Sequence, residues 1–408
     1  MSVTLRLAWR NLWRHGRRTW LTVGAMVFCN ALLVFMISTQ FGSYAMMIDG
    51  TLGVLTGHLQ VQEQRYNDEP RMRYTVPRAT ELAQTLRESS GLAAIAARGS
   101  AFALASSEDR SFGIQILGVQ PTSEPLVSNL PGLVKQGRYL DNNNAAEIVV
   151  GSVLARNLKI GVGDEITFLG SGRDDSFAAG IATVVGIINS GMTNLDRSIA
   201  EIPLGYFQSI FAMDDDAHSI VIKVDDLDDV APLKQAVQSQ LPGPELTVLD
   251  WDQLQPGLRQ AIQADMFSAF IMYAVLIVLV AFSVLNTQLM SVLERTREFG
   301  VMTALGVRPA QLGRLVLLET AIMSLLGLLL GCLLGGLLTA YLGSVGFSLD
   351  GMKEAMERYN MDGRIYPQLS LISLLGGPAI VFIGGMLAAV YPALRLQTLQ
   401  PVAAMRAV

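Results

Sequence analysis

The stretch "ERTREFGVMTALGVRPAQLGRLVLLE", Glu294 to Glu319, separates two long runs that contain no charged residue, and its reading decides the fold. Four such runs occur: Thr19 to Ile48, Met266 to Leu293, Thr320 to Leu349 and Tyr366 to Leu394. Each exceeds the roughly 20 apolar residues that cross a bilayer core, where a helix satisfies its own backbone. A chain that is 51% hydrophobic and 16% charged is too apolar for an ordinary soluble globule. The expected fold class is a membrane α-helical protein with four transmembrane helices and a large α/β domain between helices 1 and 2. The spans are expected at 19–45, 266–292, 313–343 and 369–394. The domain takes 46–265, with flanks at 1–18, 293–312, 344–368 and 395–408.

Arginine sets the orientation. Residues 1–18 carry five Arg and no acid, residues 294–314 four Arg against two Glu, and the tail from Arg395 two Arg. This excess in short flanks predicts that both termini and the 294–314 loop are cytoplasmic. The domain, with 16 basic and 28 acidic residues between 49 and 265 and a net charge of −12, then lies outside. The first apolar run is too long for a signal peptide and is expected to stay as an anchor. Cys29 and Cys332 both fall in spans, so no disulfide framework supports the exported domain.

Before the first span, Leu5, Ala8, Trp9, Leu12 and Trp13 recur at helical spacing with Arg6, Arg10, Arg14 and Arg17 opposite, which predicts an elbow helix lying in the membrane surface. The exported segment mixes β-branched runs such as "GHLQVQ" and "GIATVVGII" with helical patterns at "ATELAQTLRES" and "DVAPLKQAVQSQL". Strand–helix–strand units at 57–105 and 217–251 flank a β-rich insert at about 110–215. They read as two halves of one α/β subdomain around an inserted one. Gly161 and Gly163 predict a tight turn between strands.

No catalytic constellation is present. His15, His58 and His218 are isolated, and no His/Cys set has metal-ligand spacing. Asp214 to Asp216 lack the Gly and Glu of a calcium loop and read as a solvated turn. No P-loop occurs, so energy for any transport must come from a partner. The expectation is a chain that is not an enzyme, binds no cofactor or metal itself, and has no nucleic-acid partner.

In the opening stretch, Leu293 to Leu305 can form a helix with Phe299, Met302 and Leu305 toward one side and Arg295, Arg297 and Glu298 elsewhere. Gly306 suits a left-handed stop and Pro309 the first turn of the next helix. The product is a short cytoplasmic helix, a turn, and a helix entering the third span. Pattern alone leaves a lever and a plain basic loop equally open.

This stretch resembles the motif after the second span in ABC-transporter permeases of the FtsX, MacB and LolC/LolE superfamily. "LAWRNLWRHGRRT", "NAAEIVVGSVLARNLKIGVGDEITF" and "YPALRLQTLQPVAAMR" are similar to further segments of that family, in order along nearly the whole chain. "GHLQVQ" is most like the lipoprotein-releasing, LolE-like branch. The resemblance implies that Glu298, Phe299, Gly300, Met302, Leu305 and Gly306 form a coupling helix docked on a separate cytoplasmic ATPase dimer, which binds ATP and Mg. It further implies an inner-membrane dimer with a second permease chain, identical or related, and a periplasmic carrier or adaptor. Two departures stand out. "LGSGRDDSFAAG" replaces a long Pro-containing hairpin, and "SLDGMKEAMERYNMDGRIYPQLS" is longer than expected, with Met352, Ala355, Met356 and Tyr359 at the spacing of an external helix.

Within the spans, Gly327, Gly331 and Gly335 recur every four residues and predict close helix packing. Asn30, Asn286, Gln288 and Glu319 are polar residues in an apolar setting. Met36, Phe41, Met46, Phe267 and Phe270, near the outer ends of spans 1 and 2, are candidates for an acyl-chain cavity that contacts membrane lipid or a lipidated substrate. The expected function is a permease that extracts lipoproteins or another amphiphile from the outer leaflet. The alternative is mechanotransmission to a periplasmic pump partner or a cell-wall hydrolase. A membrane-anchored sensor or scaffold is a third class.

Overall fold

The computed structural model describes residues 3–14, 16–108, 110–224, 226–348 and 363–396. The external helix expected around Met352 to Tyr359 and the tail from 397 lie outside these residues, as do His15 and the side chain of Leu5. The chain divides into two compact units, one made of 1–44, 262–348 and 364–408, the other chiefly of 45–261.

The first unit is helical. It contains α1 (Val3–Arg14), most of α2 (Gly16–Thr51), most of α10 (Pro256–Glu294), α11 (Thr296–Ala304), α12 (Pro309–Val345) and α13 (Leu371–Arg395). Four of the helices, Gly16–Thr56, Pro256–Glu294, Pro309–Val345 and Leu371–Arg395, are long and apolar enough to cross a membrane. The protein is thus a multi-pass membrane protein. Helices α2 and α10 run past their charge-free runs at both ends, whereas α12 stops at Val345, where Gly346 has φ +70°, and α13 starts at Leu371 behind a Ser370 cap. On α1, Ala8 and Leu12 are buried while Trp9 and Trp13 stay exposed, their rings 5.7 Å apart, and Trp13 meets Trp20 at 5.9 Å.

The second unit is built on one ten-stranded sheet. Its strands are β1 (Leu59–Glu63), β2 (Ile95–Ser106), β3 (Ser111–Val119), β4 (Val134–Gly137), β5 (Glu147–Gly151), β6 (Glu165–Ser171), β7 (Phe177–Ile188), β8 (Ile199–Pro203), β9 (Ser219–Ile222) and β10 (Leu246–Asp250). They follow the order β10-β1-β9-β2-β3-β8-β5-β7-β4, with β6 bridging β2 and β7. At one end, β1 pairs with β9 and β10, and β2 with β9, so the two strand–helix–strand units, distant in sequence, share a sheet. Leu86 of α3 (Ala79–Ser90) and Val237 of α8 (Val230–Gln240) close a core there with Leu59, Val61, Ile95, Ile220, Ile222 and Val248. The insert carries its own core of Ile116, Ile148, Val150, Ile166, Phe168, Phe207 and Phe211. Alternation explains it: along β7, Ala178, Ala182 and Val184 point inward while Phe177 and Ile181 point out.

Two local expectations are corrected. The turn at Gly161 and Gly163 follows a helix, α5 (Ser152–Leu158), before β6 and does not join two strands; Gly163 has φ +99°. The Asp214–Asp216 stretch is not simply solvated. Asp216 is buried, accepts hydrogen bonds from Thr75 Oγ1 (2.8 Å) and Arg78 N (3.1 Å), and pairs with Arg173 at 2.9 Å, so it ties a loop down.

Candidate functional site

The helix joining spans 2 and 3 begins with a break. Helix α10 ends at Glu294, Arg295 leaves helical geometry (φ −102°, ψ 10°), and α11 restarts at Thr296. It stops at Ala304, after which Gly306 adopts φ +93° and Pro309 opens α12. The stop at Ala304 leaves Leu305 outside the helix as its cap. Phe299 and Gly300 are buried, with Phe299 packed among Val292, Leu312, Val316 and Leu396, whereas Leu305 is 80% exposed. Phe299 and Leu305 therefore do not share a face, contrary to the sequence reading, and Phe299 holds α11 against α12. Met302 is half-buried beside it, Glu298 is half-exposed, and Arg297, Val301, Leu305 and Gly306 form the accessible side.

Beneath α11 lies a polar node that the sequence reading missed. Arg295, expected away from the Phe299 side, is buried; its Nη1 donates to both oxygens of Glu319 on α12 at 3.0 and 3.2 Å. Asn11 of the elbow helix donates to the same carboxylate at 2.8 Å. Arg295 also reaches Glu298 at 3.4 Å and lies 4.9 Å over the Phe299 ring. At the rim, Arg14 pairs with Glu298 at 3.1 Å and Arg18 with Glu294 at 2.7 Å. One buried carboxylate thus ties together the elbow, the start of α11 and the third span. A buried ion pair of this kind specifies geometry more than it adds stability.

Deeper in the bundle, the three glycines mark where α12 meets α2. A methyl at Gly327 would stand 2.6 Å from Met26 Cβ, one at Gly335 2.9 Å from Ala31 Cα, and one at Gly331 closer still to Asn30 Cβ. Asn30 Oδ1 and Gln288 Oε1 are buried without a hydrogen-bond partner among the described residues. Of the acyl-cavity candidates, Met36, Phe41 and Met46 are half-buried on α2, but Phe267 and Phe270 point outward from α10, 67% and 65% exposed. A second polar cluster joins α2 to α10. Asp265 accepts from Tyr44 OH at 2.8 Å and from Gln40 Nε2, and Tyr273 OH donates to Gln40 Oε1 at 3.0 Å.

In the sheet domain, the register places apolar side chains on one open face. Leu104 sits opposite Leu169, and Leu169 opposite Ala179, with Phe177 and Ile181 two residues to either side. Phe102, two residues from Leu104, is 71% exposed and Phe177 76%. This face is larger than singly scattered surface residues would make it. His58 and His218 are internal props: Val224 N donates to His58 Nδ1 at 3.1 Å and Ser100 N to His218 Nδ1 at 3.0 Å, and burial pushes the His218 imidazole down to about 4. Among the described residues no group of His, Cys, Asp or Glu is arranged to hold a metal.

Comparison with known proteins agrees with this architecture. Residues 19–240 match the MacB-like periplasmic core domain, and residues 270–401 match the FtsX-like permease C-terminal region. The lipoprotein-releasing system transmembrane protein LolC of Xylella fastidiosa strain 9a5c is 25% identical over 71% of this chain and 72% of its own length. LolE of the same system in Haemophilus influenzae is 23% identical, with 71% of each chain covered. An ABC transporter permease of Methanocaldococcus jannaschii is 23% identical over 48% of this chain and 49% of its own. A membrane half with the FtsX-like helices, joined to a MacB-like core of 222 residues, makes this chain a member of the FtsX, MacB and LolC/LolE family of ABC-transporter permeases.

Proposed function

We propose that this chain is the permease subunit of a bacterial inner-membrane ABC system that extracts lipoproteins, or another amphiphile, from the outer leaflet. It works with a second permease chain and is driven by a separate ATPase dimer that binds ATP and Mg. In this reading both termini and α11 face the cytoplasm and the sheet domain faces the periplasm, with no catalytic chemistry in the chain itself. The observation that carries it is the build of α11. It is a short helix whose accessible side is Arg297, Val301, Leu305 and Gly306, and whose base is anchored by Phe299 and the Arg295–Glu319 pair. A push on Leu305 reaches the elbow and the third span through that base without bending a loop. Lipoprotein release by the curated relatives supports the substrate class.

Leu305→Asp tests the docking role. It places a charge on a surface that association would dry, costing several kcal/mol in the complex and little in the free permease, because the side chain is already exposed. Assembly with the ATPase and ATP turnover should fall together while the permease stays folded. Unchanged assembly and turnover would remove α11 from the interface. The open face of Phe102, Leu104, Phe177 and Ile181 favours one second reading, in which the domain moves a periplasmic adaptor and does not extract lipid. Photo-crosslinkers at Met36 and Phe177 separate the two: capture of a lipidated protein at Met36 supports extraction, capture of a soluble protein at Phe177 alone supports mechanotransmission.

A further inference from the structure

The helix that begins at Gly16 does not end in a frayed turn. It passes at Leu52 into a π-helical turn, Leu52–Thr56, and the carbonyls of that turn, which a helix end normally leaves without partners, are all taken. Leu52 O accepts from Gly57 N at 2.9 Å, Gly53 O from Asn129 N at 2.7 Å, Val54 O from Ser128 Oγ at 2.7 Å, Leu55 O from Arg98 Nη1, and Thr56 O from Gln60 Nε2 at 2.7 Å. Apart from Gly57, which caps the turn itself, the donors come from β1, from β2 and from the segment just after α4 (Glu124–Val127). They are parts of the domain that the chain reaches only later.

At the centre is a group of buried ionisable side chains. Arg98 is 5% exposed, and Glu124, which takes its Nη2, and Glu201 are fully buried. Tyr139 OH donates to Glu201 Oε2 at 2.8 Å. Burial, with Glu124 close by, raises the Glu201 carboxyl above the usual carboxylate range. Burying an ion pair is rarely the cheapest way to fill a core. Here the cation lies at the negative end of a helix and supplies a donor to its last turn, which an apolar residue could not do.

We infer that Arg98, held by Glu124, and the Ser128–Asn129 segment form a socket that fixes the end of the first membrane helix inside the sheet domain, making Arg98 a positioning residue for coupling. The inference rests on the permease reading for its purpose, since a socket matters only if the helix is driven. Its geometry stands within one compact unit, which takes in the helix from Ala45 onward. Motion of the helix is then carried to the domain by hydrogen bonds to its backbone and not by side-chain packing alone.

The test uses the full-length permease with its ATPase in nanodiscs. Arg98→Met/Glu124→Leu removes both members of the ion pair together; Arg98→Lys keeps the charge with different geometry. Amide exchange at residues 53–57, measured without nucleotide, should rise at least tenfold in the double variant and less in Arg98→Lys. Spin labels at Ser111→Cys and Ser344→Cys, in a Cys29→Ser/Cys332→Ser background, should lose most of their ATP-driven distance change while ATP turnover persists. Exchange at the parental rate, or a full distance change despite faster exchange, would overturn the socket. If the double variant misfolds, Arg98→Lys decides by the same two readouts. A parental protein whose labels never respond to ATP would sink the permease reading, while the exchange result would still judge the socket.

Discussion

Removing Glu319 should damage the protein more than removing Glu319 and Arg295 together. The two side chains are 6% and 8% exposed, and the carboxylate receives both Arg295 and Asn11. Glu319→Leu leaves a guanidinium in a dry site with only Glu298 at 3.4 Å, and breaking a buried pair from one side costs about 3–5 kcal/mol. Loss of the acceptor for Asn11 adds about 1 kcal/mol. Arg295→Met, which strands the carboxylate, belongs in the same range. The double variant removes both desolvation penalties and should return to within about 2 kcal/mol of the parent. Equilibrium unfolding in mixed micelles, titrated with a denaturing detergent, reads these differences directly. Arg78→Ala is the control, because Arg78 and Glu81 are 73% and 68% exposed and such pairs are worth under about 1 kcal/mol. Single variants as harmless as that control, or a double variant as unstable as the sum of the singles, would refute the node as a buried, mutually dependent pair.

Glu201→Gln should flatten part of the pH dependence of the unfolding of the whole chain. A carboxyl raised to about 8 binds more protons folded than unfolded, so its contribution is full below its ordinary range near 4.5 and fades as pH rises toward 8. His218, lowered to about 4, acts oppositely and loses stability as pH falls from 6.5 toward 4, so only the difference between parent and variant isolates Glu201. Identical pH profiles would contradict the assignment. Gly331→Val should force α12 off Asn30 and cost about 1–3 kcal/mol in the same detergent titration; no loss would mean that the helices are not in contact. Cysteines at Ser111→Cys and Asp228→Cys should react with a membrane-impermeant reagent on intact cells, and Gln311→Cys should not. The reverse pattern would invert the topology and remove α11 from reach of an ATPase.

What the residues disclosed beforehand follows from how local each signal is. Four membrane helices were readable because charge is absent over long unbroken runs, and the α/β character of the domain because alternating and helical periods are short-range. Gly306 announced a stop through its own backbone freedom. Leu305 was grouped with Phe299 and Met302 because one helix was expected to run through it, whereas α11 ends at Ala304 and leaves Leu305 as an exposed cap. The Arg295–Glu319 and Asn11–Glu319 contacts join residues 24 and 308 positions apart. The same holds for Gln40 with Asp265 and for Arg98 with Leu55: each looks like an isolated polar residue until the chain is folded. No period in the sequence encodes such pairs.

Helix α10 has a consequence for the membrane that surrounds it. Its charge-free run from Met266 to Leu293 is 28 residues, about 42 Å of helix against a hydrocarbon core of about 30 Å. Within this chain much of its surface is open, so its own neighbouring helices leave the excess length free to be absorbed by tilt or by the lipid. The helix must lean, or the lipid around it must stretch, and the balance shifts with acyl-chain length. Bilayer thickness thereby becomes a setting on the resting tilt of the second span, and one protein placed in thin and thick membranes would start its cycle from different angles.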